Sequence, residues 1–545
     1  MSMPYSRHGL TPKDRRLQRA LEIVPGATSW TILIGMPLMS FLFPMTAASI
    51  VIAFNLYWLL RLAHSTIFLV LSYVLLQSES RTDWLARIAD LGAQPAWAPR
   101  PFAFSWRERV SHWAHRQRVA SLRAAVSPPP ALEDIHHLVV IPIAKETADV
   151  VEPGLRSLGG QQFPTTRILV VLAVEGRAAP EVRADAQRLA AQYRDRFRDV
   201  IVALHPDGVP GEARVKGANA SYAARTAADW FTAHGIPHEH VIASCFDADT
   251  VVSQNYFSCL TYHFMAEPRR QRASFQPIPV YHNNIWQAPG FARVLDVGSS
   301  FFQLIEATNP ETLVTFSSHS MSFKALVDVG YWPIDMISDD SAIFWKAYLH
   351  FEGDYRVVPM YTTVSMDVVT AATWWPTMTS LYKQKRRWAW GVENFPLIMR
   401  GFLATSRIPL RERAMHMLKM YESHVAWATW GFMLTVFNWL PALFAGREFS
   451  STVLYFSAPR ITAVIFNLAG VALVTTVGLS TLLLPRPPSR IPVLRRILHA
   501  FEWMLVPIIT LFFSAIPALD AQTRLMFGKS LVFWVAGKGK TMGNR

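Results

Sequence analysis

The apolar stretch Val241-Ile242-Ala243 leads within a few residues to Asp247-Ala248-Asp249. Side chains two apart in an extended chain share a face. Two carboxylates at the end of a buried strand make a hard-oxygen site for Mg2+ or Mn2+, ions that share their coordination with substrate phosphates. A lone Asp-x-Asp fits equally well as an Asx-type turn closing a strand, so the surrounding chain has to decide between the two.

The elements that would position this pair come from a chain of mixed character. It has 545 residues, 51% hydrophobic and 17% charged, with a formal net charge of +14. That balance leans away from an ordinary soluble protein. The positive charge suits either nucleic acid or an anionic membrane surface plus an anionic substrate. No basic groove-reading element with interleaved aromatics occurs, which argues against nucleic acid. Two cysteines, Cys245 and Cys259, exclude a disulfide framework and a cysteine-based zinc site. Cys245, inside the strand, reads as a reduced core residue.

Residues 1–24 form a basic leader containing Lys13, Arg15, Arg16 and Arg19, with no small-residue cleavage signal after it. Residues 25–76 hold two apolar stretches, from about Ala27 to Pro44 and from about Thr46 to Leu76, each long enough to cross a bilayer. The leader and Arg81, Arg87, Arg107 and Arg109 place both flanks in the cytoplasm. Arg61 and His64 interrupt the second stretch, as a functional charge or as a snorkelling or packing feature.

Across 77–400 strands alternate with helices. His137–Ile143, Arg167–Val174, Val200–Leu204 and the strand before Asp247 are separated by helices starting at Leu155, Glu181 and Ala218. Such α/β alternation predicts a mostly parallel, Rossmann-like sheet with ligands outside the carboxyl ends of its strands, where Asp247 and Asp249 fall. Residues 401–423 include the interfacial amphipathic stretch Leu410–Met420. Residues 424–519 carry C-terminal transmembrane stretches at His424–Phe444, Ile461–Leu484 and Phe501–Leu519. The basic connector Arg486–Arg496 lies among them, and 520–545 is a basic tail.

A soluble domain between membrane helices, followed by Gln384-Lys385-Arg386-Arg387-Trp388, resembles the membrane-integrated family 2 glycosyltransferases, the group of cellulose, chitin and hyaluronan synthases with D-x-D and Q-x-x-R-W motifs. The series runs in order: Val140–Glu146 resembles the opening nucleotide strand, Val215–Ala220 the Lys-Gly-Ala-Asn element, then Asp247–Asp249, Phe275-Gln276-Pro277, Ser338-Asp339-Asp340 and Gln384–Trp388. The resemblance implies a GT-A catalytic domain inserted between N- and C-terminal transmembrane helices. It implies Asp249 as the metal ligand and Glu146, Glu175, Lys216, Asp247, Gln384 and Arg387 as nucleotide-sugar contacts. Asp340 is the candidate general base, since an attacking hydroxyl must lose its proton to a group within reach; the same residues equally suit a helix N-cap, and the two roles are compatible. Arg387, helped by Lys385 or Arg386, would hold a diphosphate by charge-assisted hydrogen bonds, the alternative being a juxtamembrane basic face. Trp388 is the candidate acceptor platform, with Trp374, Trp375 and Trp390 left open between stacking and interfacial or core packing.

Several positions depart from the family pattern. Ala144 stands where many members have tyrosine, Ala173-Val174-Glu175-Gly176 replaces Asp-Asp-Gly-Ser, and Asp339 replaces glutamate. The hydroxyl-rich Phe316–Phe323 could shape an acceptor pocket or form a turn. Phe533–Gly539 resembles a gating loop, with Ala536 in place of threonine. Three C-terminal spans would leave that loop outside the cell, unless the segment near Phe501–Leu519, with Pro507 and Pro517, is re-entrant or broken. The expected activity is inverting transfer of sugars from a nucleotide-sugar, UDP-linked, to a growing β-linked polysaccharide at the inner (plasma) membrane. Expected partners are the donor, a polysaccharide or lipid acceptor, membrane lipid and export or accessory proteins. One-sugar transfer to a lipid is the alternative; a nucleotide-binding transporter or scaffold is disfavoured by the joint presence of Asp247, Asp249, Asp340 and Arg387.

Overall fold

The computed structural model describes residues 5, 9–92, 106–123, 129–444, 446–486, 498, 499 and 501–532. The strands are β1 (His136–Ile143), β2 (Ile168–Glu175), β3 (Asp199–His205), β4 (Val241–Cys245), β5 (Val251–Val252), β6 (Ala273–Val280), β7 (Ser320–Ser322) and β8 (Arg356–Ser365). They form one eight-stranded sheet in the order β3-β2-β1-β4-β7-β6-β8-β5. β1 to β4 are mutually parallel, β7 runs antiparallel between β4 and β6, and β5 is antiparallel to β8. The sheet is thus mixed, the reversed β7 coming from the hydroxyl-rich stretch.

β2 is buried at every position and β1 at nearly every one, the pattern of strands covered on both faces. Val139 and Ile141 pack with Val170, Leu172, Leu155 and Phe257. Leu138 and Val140 face the other way, onto Ala220, Ala224 and Phe231. The alanines of the Lys216–Ala233 helix let its backbone lie close on the sheet. This helix begins at Lys216, earlier than the expected Ala218, and the helix Asp339–His350 begins directly after Ser338, where an N-cap was expected. Both starts place chemistry-bearing residues in a first helical turn.

Four helices are long and apolar enough to cross a membrane among the described residues: Pro12–Leu42, Pro44–Glu79, Val453–Leu483 and the segment Glu502–Met526. The first reaches back into the basic leader because Thr11 caps it, accepting from the Asp14 N–H at 3.2 Å, with Pro12 opening the helix. Pro44 opens the second immediately after Phe43. The stretch His424–Phe444 is not among the four. It begins inside the charged Leu410–Phe432 helix and ends in a π-helical turn at Met433–Phe437 and the short helix Leu440–Leu443. It nevertheless runs beside Pro44–Glu79: Glu422 pairs with Arg61, Trp430 stacks on Trp58 at 4.8 Å, and Asn55 donates to Asn438 at 2.7 Å. Arg61 therefore has a packing partner inside the bundle. Glu502–Met526 is broken by a 3-10 turn at Glu502–Leu505 and a π-helical turn at Leu511–Ala515, as its prolines require. Gly26 lets Pro12–Leu42 touch this segment, since a Cβ there would lie 2.9 Å from the Gln522 carbonyl oxygen. The Phe533–Gly539 stretch lies outside the described residues.

Candidate active site

Beyond β4 the chain turns, the Thr250 N–H donating to the Asp247 carbonyl at 2.9 Å. Asp247 Oδ2 accepts from the Ser317 hydroxyl at 2.6 Å, and Asp247 Oδ1 lies 2.9 Å from the Lys216 ammonium. Asp249 is only 2% exposed; its Oδ2 accepts from the Asp367 N–H at 2.8 Å and its carbonyl from Asn283 Nδ2 at 2.9 Å. Ser318, held at φ 60°, folds the Phe316–His319 loop toward this turn and meets the Thr250 hydroxyl at 2.9 Å. A non-glycine residue in that region is strained, and the strain here places a hydroxyl on the acidic turn.

Asp340 sits in the first turn of the Asp339–His350 helix. Its carboxylate oxygens accept from Lys216 Nζ at 2.9 and 3.1 Å. Burial works against the Lys216 charge, but Asp247 and Asp340 raise the ammonium well above the ordinary lysine value. Gly217 permits this approach, because a Cβ would collide with the Pro333 carbonyl and lie 3.0 Å from Asp339 Cβ. Asp339 is 2% exposed, and burial, then the charge of Asp340, push its carboxyl up to about 8. His319 lies 3.9 Å from Asp340 Oδ1, and burial lowers its pKa against the pull of that carboxylate. Ser338 stands at the N-cap position, yet its hydroxyl makes no cap bond. Instead the Ile337 and Ser338 N–H groups and the Ser338 hydroxyl donate to Glu393 at 3.0, 2.9 and 2.8 Å. Glu393 is 1% exposed and also accepts from Trp390 Nε1 at 2.9 Å.

The Trp374–Ala389 helix brings Gln384, Arg387 and Trp388 to one face, since residues three and four apart are neighbours. Arg387 acts electrostatically on both Tyr281 and Asp339. Tyr281 is raised well above the usual phenol value by burial, then by Asp296, Asp247 and Asp249, with Arg387 opposing. Gln384 is buried and its Oε1 has no hydrogen-bond partner. Trp388 stands 6.1 Å from Tyr281 and 5.8 Å from Phe316, ring centre to ring centre.

Lys385 and Arg386 do not help Arg387 as expected. Both are engaged elsewhere: Lys385 is buried, 2.8 Å from Asp296 Oδ1 and 3.6 Å over the Trp388 ring, while Arg386 pairs with Asp520 at 2.8 Å. Trp390 is core and Trp374 and Trp375 are exposed, which leaves Trp388 alone beside the cluster.

Glu175, at the end of β2, pairs with Arg177 and lines a cavity of about 90 Å3 with His205, Asp207, Glu212 and Val215, the residue before Lys216. Glu146 is not drawn into the cluster by any hydrogen bond; its Oε2 accepts from the Ala144 and Lys145 N–H groups of its own turn at 2.8 and 2.9 Å. Glu393 is absent from the sequence-based expectations, whereas Ser317 belongs to the hydroxyl-rich Phe316–Phe323 stretch singled out there. The only signal for Glu393 was a lone acid in the otherwise apolar stretch after Trp388.

A mixed α/β sheet with acids gathered beyond the carboxyl end of β4 agrees with the GT-A type fold expected from the sequence. Residues 244–479 match the family model described as glycosyl transferase family group 2, which bears out the family 2 recognition read from the motifs. The chain is 32% identical over 174 residues to the poly-beta-1,6-N-acetyl-D-glucosamine synthase of Staphylococcus aureus (strain COL), covering 30% of this chain and 39% of that protein. It is 28% identical over 205 residues to the synthase of the same name from Staphylococcus epidermidis, covering 36% and 44%. The chain therefore spans under half the length of these curated relatives. Among solved structures it is similar to the mannosyltransferase PcManGT from Pyrobaculum calidifontis in complex with GDP-Man and Mn2+. There the identity is 13%, the coverage 77% of this chain and 97% of that one, and the TM-score 0.40.

Proposed function

We propose that the protein is a membrane-bound, inverting glycosyltransferase that adds sugars from a UDP-linked donor to a growing β-linked polysaccharide. One observation carries this reading: the Lys216 ammonium lies 2.9 Å from Asp247 Oδ1 and 2.9 Å from Asp340 Oδ1, so the donor-side acid and the acceptor-side acid face a single atom. Asp340 takes the proton of the acceptor hydroxyl, and one displacement at the anomeric carbon inverts its configuration. Lys216 and Arg387 meet the charge developing on the leaving diphosphate, where preorganised cations act most strongly. Asp247 and Asp249, two residues apart on the turn beyond β4, offer the hard oxygens that Mg2+ or Mn2+ takes. Such an ion, when bound, neutralises diphosphate charge. The cavity beside Glu175 takes the nucleoside, with Glu146 shaping the turn after β1 and Gln384 backing Arg387. Trp388 receives the acceptor sugar.

The similarity to poly-beta-1,6-N-acetyl-D-glucosamine synthases favours polymer over a single lipid-linked product. We place residues 77–400 in the cytoplasm as the catalytic domain of a multi-pass inner-membrane protein. The basic residues flanking the first two helices support that side. Glu502 pairs with Arg293 and Asp520 with Arg386, both catalytic-domain residues; this supports the re-entrant reading of Glu502–Met526 and a cytoplasmic C-terminus. Membranes containing the protein, given radiolabelled UDP-sugars and Mn2+, should yield polymer retained at the chromatographic origin. A mobile lipid product would move the assignment to glycolipid synthesis, and no consumption of any nucleotide-sugar would refute the proposal.

A further inference from the structure

The helix Tyr256–Ala266 follows the acidic turn and is buried along its whole length. Its Cys259 and His263 lie one turn apart on a shared face. Facing them is Glu79, the last residue of the membrane helix Pro44–Glu79. The Cys259 sulfur, a His263 ring nitrogen and a Glu79 carboxylate oxygen all lie within 4.8 Å of one another. His263 is 2% exposed, and its Nε2 has no hydrogen-bond partner although Glu79 Oε2 stands 3.8 Å away. Three potential ligands of different hardness therefore converge on one point, with an unsatisfied ring nitrogen aimed into it.

We propose that Glu79, Cys259 and His263 bind a borderline-soft divalent transition metal, Zn2+ foremost, at a site separate from the carboxylate pair Asp247 and Asp249. A thiolate, an imidazole and a carboxylate suit Zn2+ and are poor ligands for Mg2+. Bonds of about 2.0–2.3 Å in tetrahedral geometry bring ligand atoms to roughly 3.3–3.6 Å apart, so side-chain adjustment alone closes the site. Zn2+ with one thiolate and one carboxylate is neutral overall, which makes burial tolerable. On binding, the Cys259 thiol gives its proton to solvent and the thiolate forms the metal–sulfur bond. Arg118 donates to His263 Nδ1 in this structure, so binding through Nε2 moves the ring proton to Nδ1. Arg118 Nη1, now 3.4 Å from Nδ1, belongs to an exposed residue and turns to water. Arg87 is already directed to Ser111 at 2.9 Å and over the Trp84 ring. The exclusion of a cysteine-based zinc site from the cysteine count holds only for a site built mainly of cysteines; a mixed set needs only one. The ion would pin the end of a membrane helix to the helix that follows the acidic turn.

The test uses the full chain in detergent, stripped with EDTA, reloaded with Zn2+, desalted and assayed for bound metal. Wild type and Asp249→Asn should each retain one zinc per chain, and Cys259→Ser and His263→Gln should lose binding about tenfold or more. Undiminished zinc in the latter two, or its loss in Asp249→Asn, overturns the proposal. Should those variants fail to fold, Co2+-loaded wild type decides. A thiolate-to-cobalt charge-transfer band is expected, and its absence overturns the assignment.

Discussion

Lys216 grips both carboxylate oxygens of Asp340, at 2.9 and 3.1 Å, with the same nitrogen that holds Asp247. The candidate base is thereby fixed in place before any substrate arrives. Asp340→Asn preserves shape but removes proton acceptance. Transfer should fall by about 10²–10⁴-fold while nucleotide affinity is kept, as single-turnover assays and equilibrium UDP binding would measure. An active variant would remove Asp340 as the base.

Asp249→Asn keeps an oxygen for the Asp367 N–H, so the turn should survive. The charge that a hard divalent ion needs is lost. Mn2+ should strengthen donor binding by the wild type and not by the variant; equal strengthening in both would exclude Asp249 as a ligand.

Asp339 carries its proton up to about 8 in the folded chain, against 3.8 for an ordinary aspartate. Between those values the folded state holds a proton that the unfolded state has released, so this group's stabilisation is full below about pH 4 and is lost as pH rises to about 8. Asp339→Asn removes that slope. Apparent melting temperatures across this range should fall less steeply in the variant, and parallel curves would show that Asp339 is not the group responsible.

Glu393 gathers the N–H groups that begin the helix of Asp340, and Trp390 from the other side. Glu393→Gln swaps an acceptor for a donor there. The expected result is a kcat lower by about tenfold to a hundredfold with donor KM little changed, and Glu393→Asp recovering part of it. A matching loss of folded protein by melting temperature and UDP-binding stoichiometry would point to general unfolding instead.

Lys385 and Asp296 form a buried pair at 2.8 Å. Burial lowers the lysine pKa and raises the aspartate pKa, each partner opposing the shift of the other. Removing one partner should cost about 3–5 kcal/mol, and replacing both by Met and Leu should restore most of it. Thermal unfolding of the single and double variants measures this; additive losses would mean the two do not interact.

The sequence disclosed what depends on local pattern. Fully apolar runs marked β1 and β2, and ordered motifs marked Asp247, Asp340 and Arg387. It did not disclose the reversed β7, because three residues of serine and methionine carry no strand period. The helix start at Lys216 lies earlier than the pattern suggests because Val215 offers no side-chain cap to announce it. Lys385 and Arg386 were assigned to the diphosphate because adjacency in sequence hides that a helix turns successive residues to different sides. Glu393 was missed because a buried acid is recognisable only by its donors, which come from a distant loop.

The broken segment Glu502–Met526 is tied to the catalytic domain near both ends, through Arg293 and through Arg386, a direct neighbour of Arg387. Its inclination is therefore set jointly by the domain and by the hydrocarbon around it. If the segment lies in the bilayer as proposed, bilayer thickness becomes an input to turnover: lipids with shorter or longer chains would tilt this strut and shift Arg387 with it.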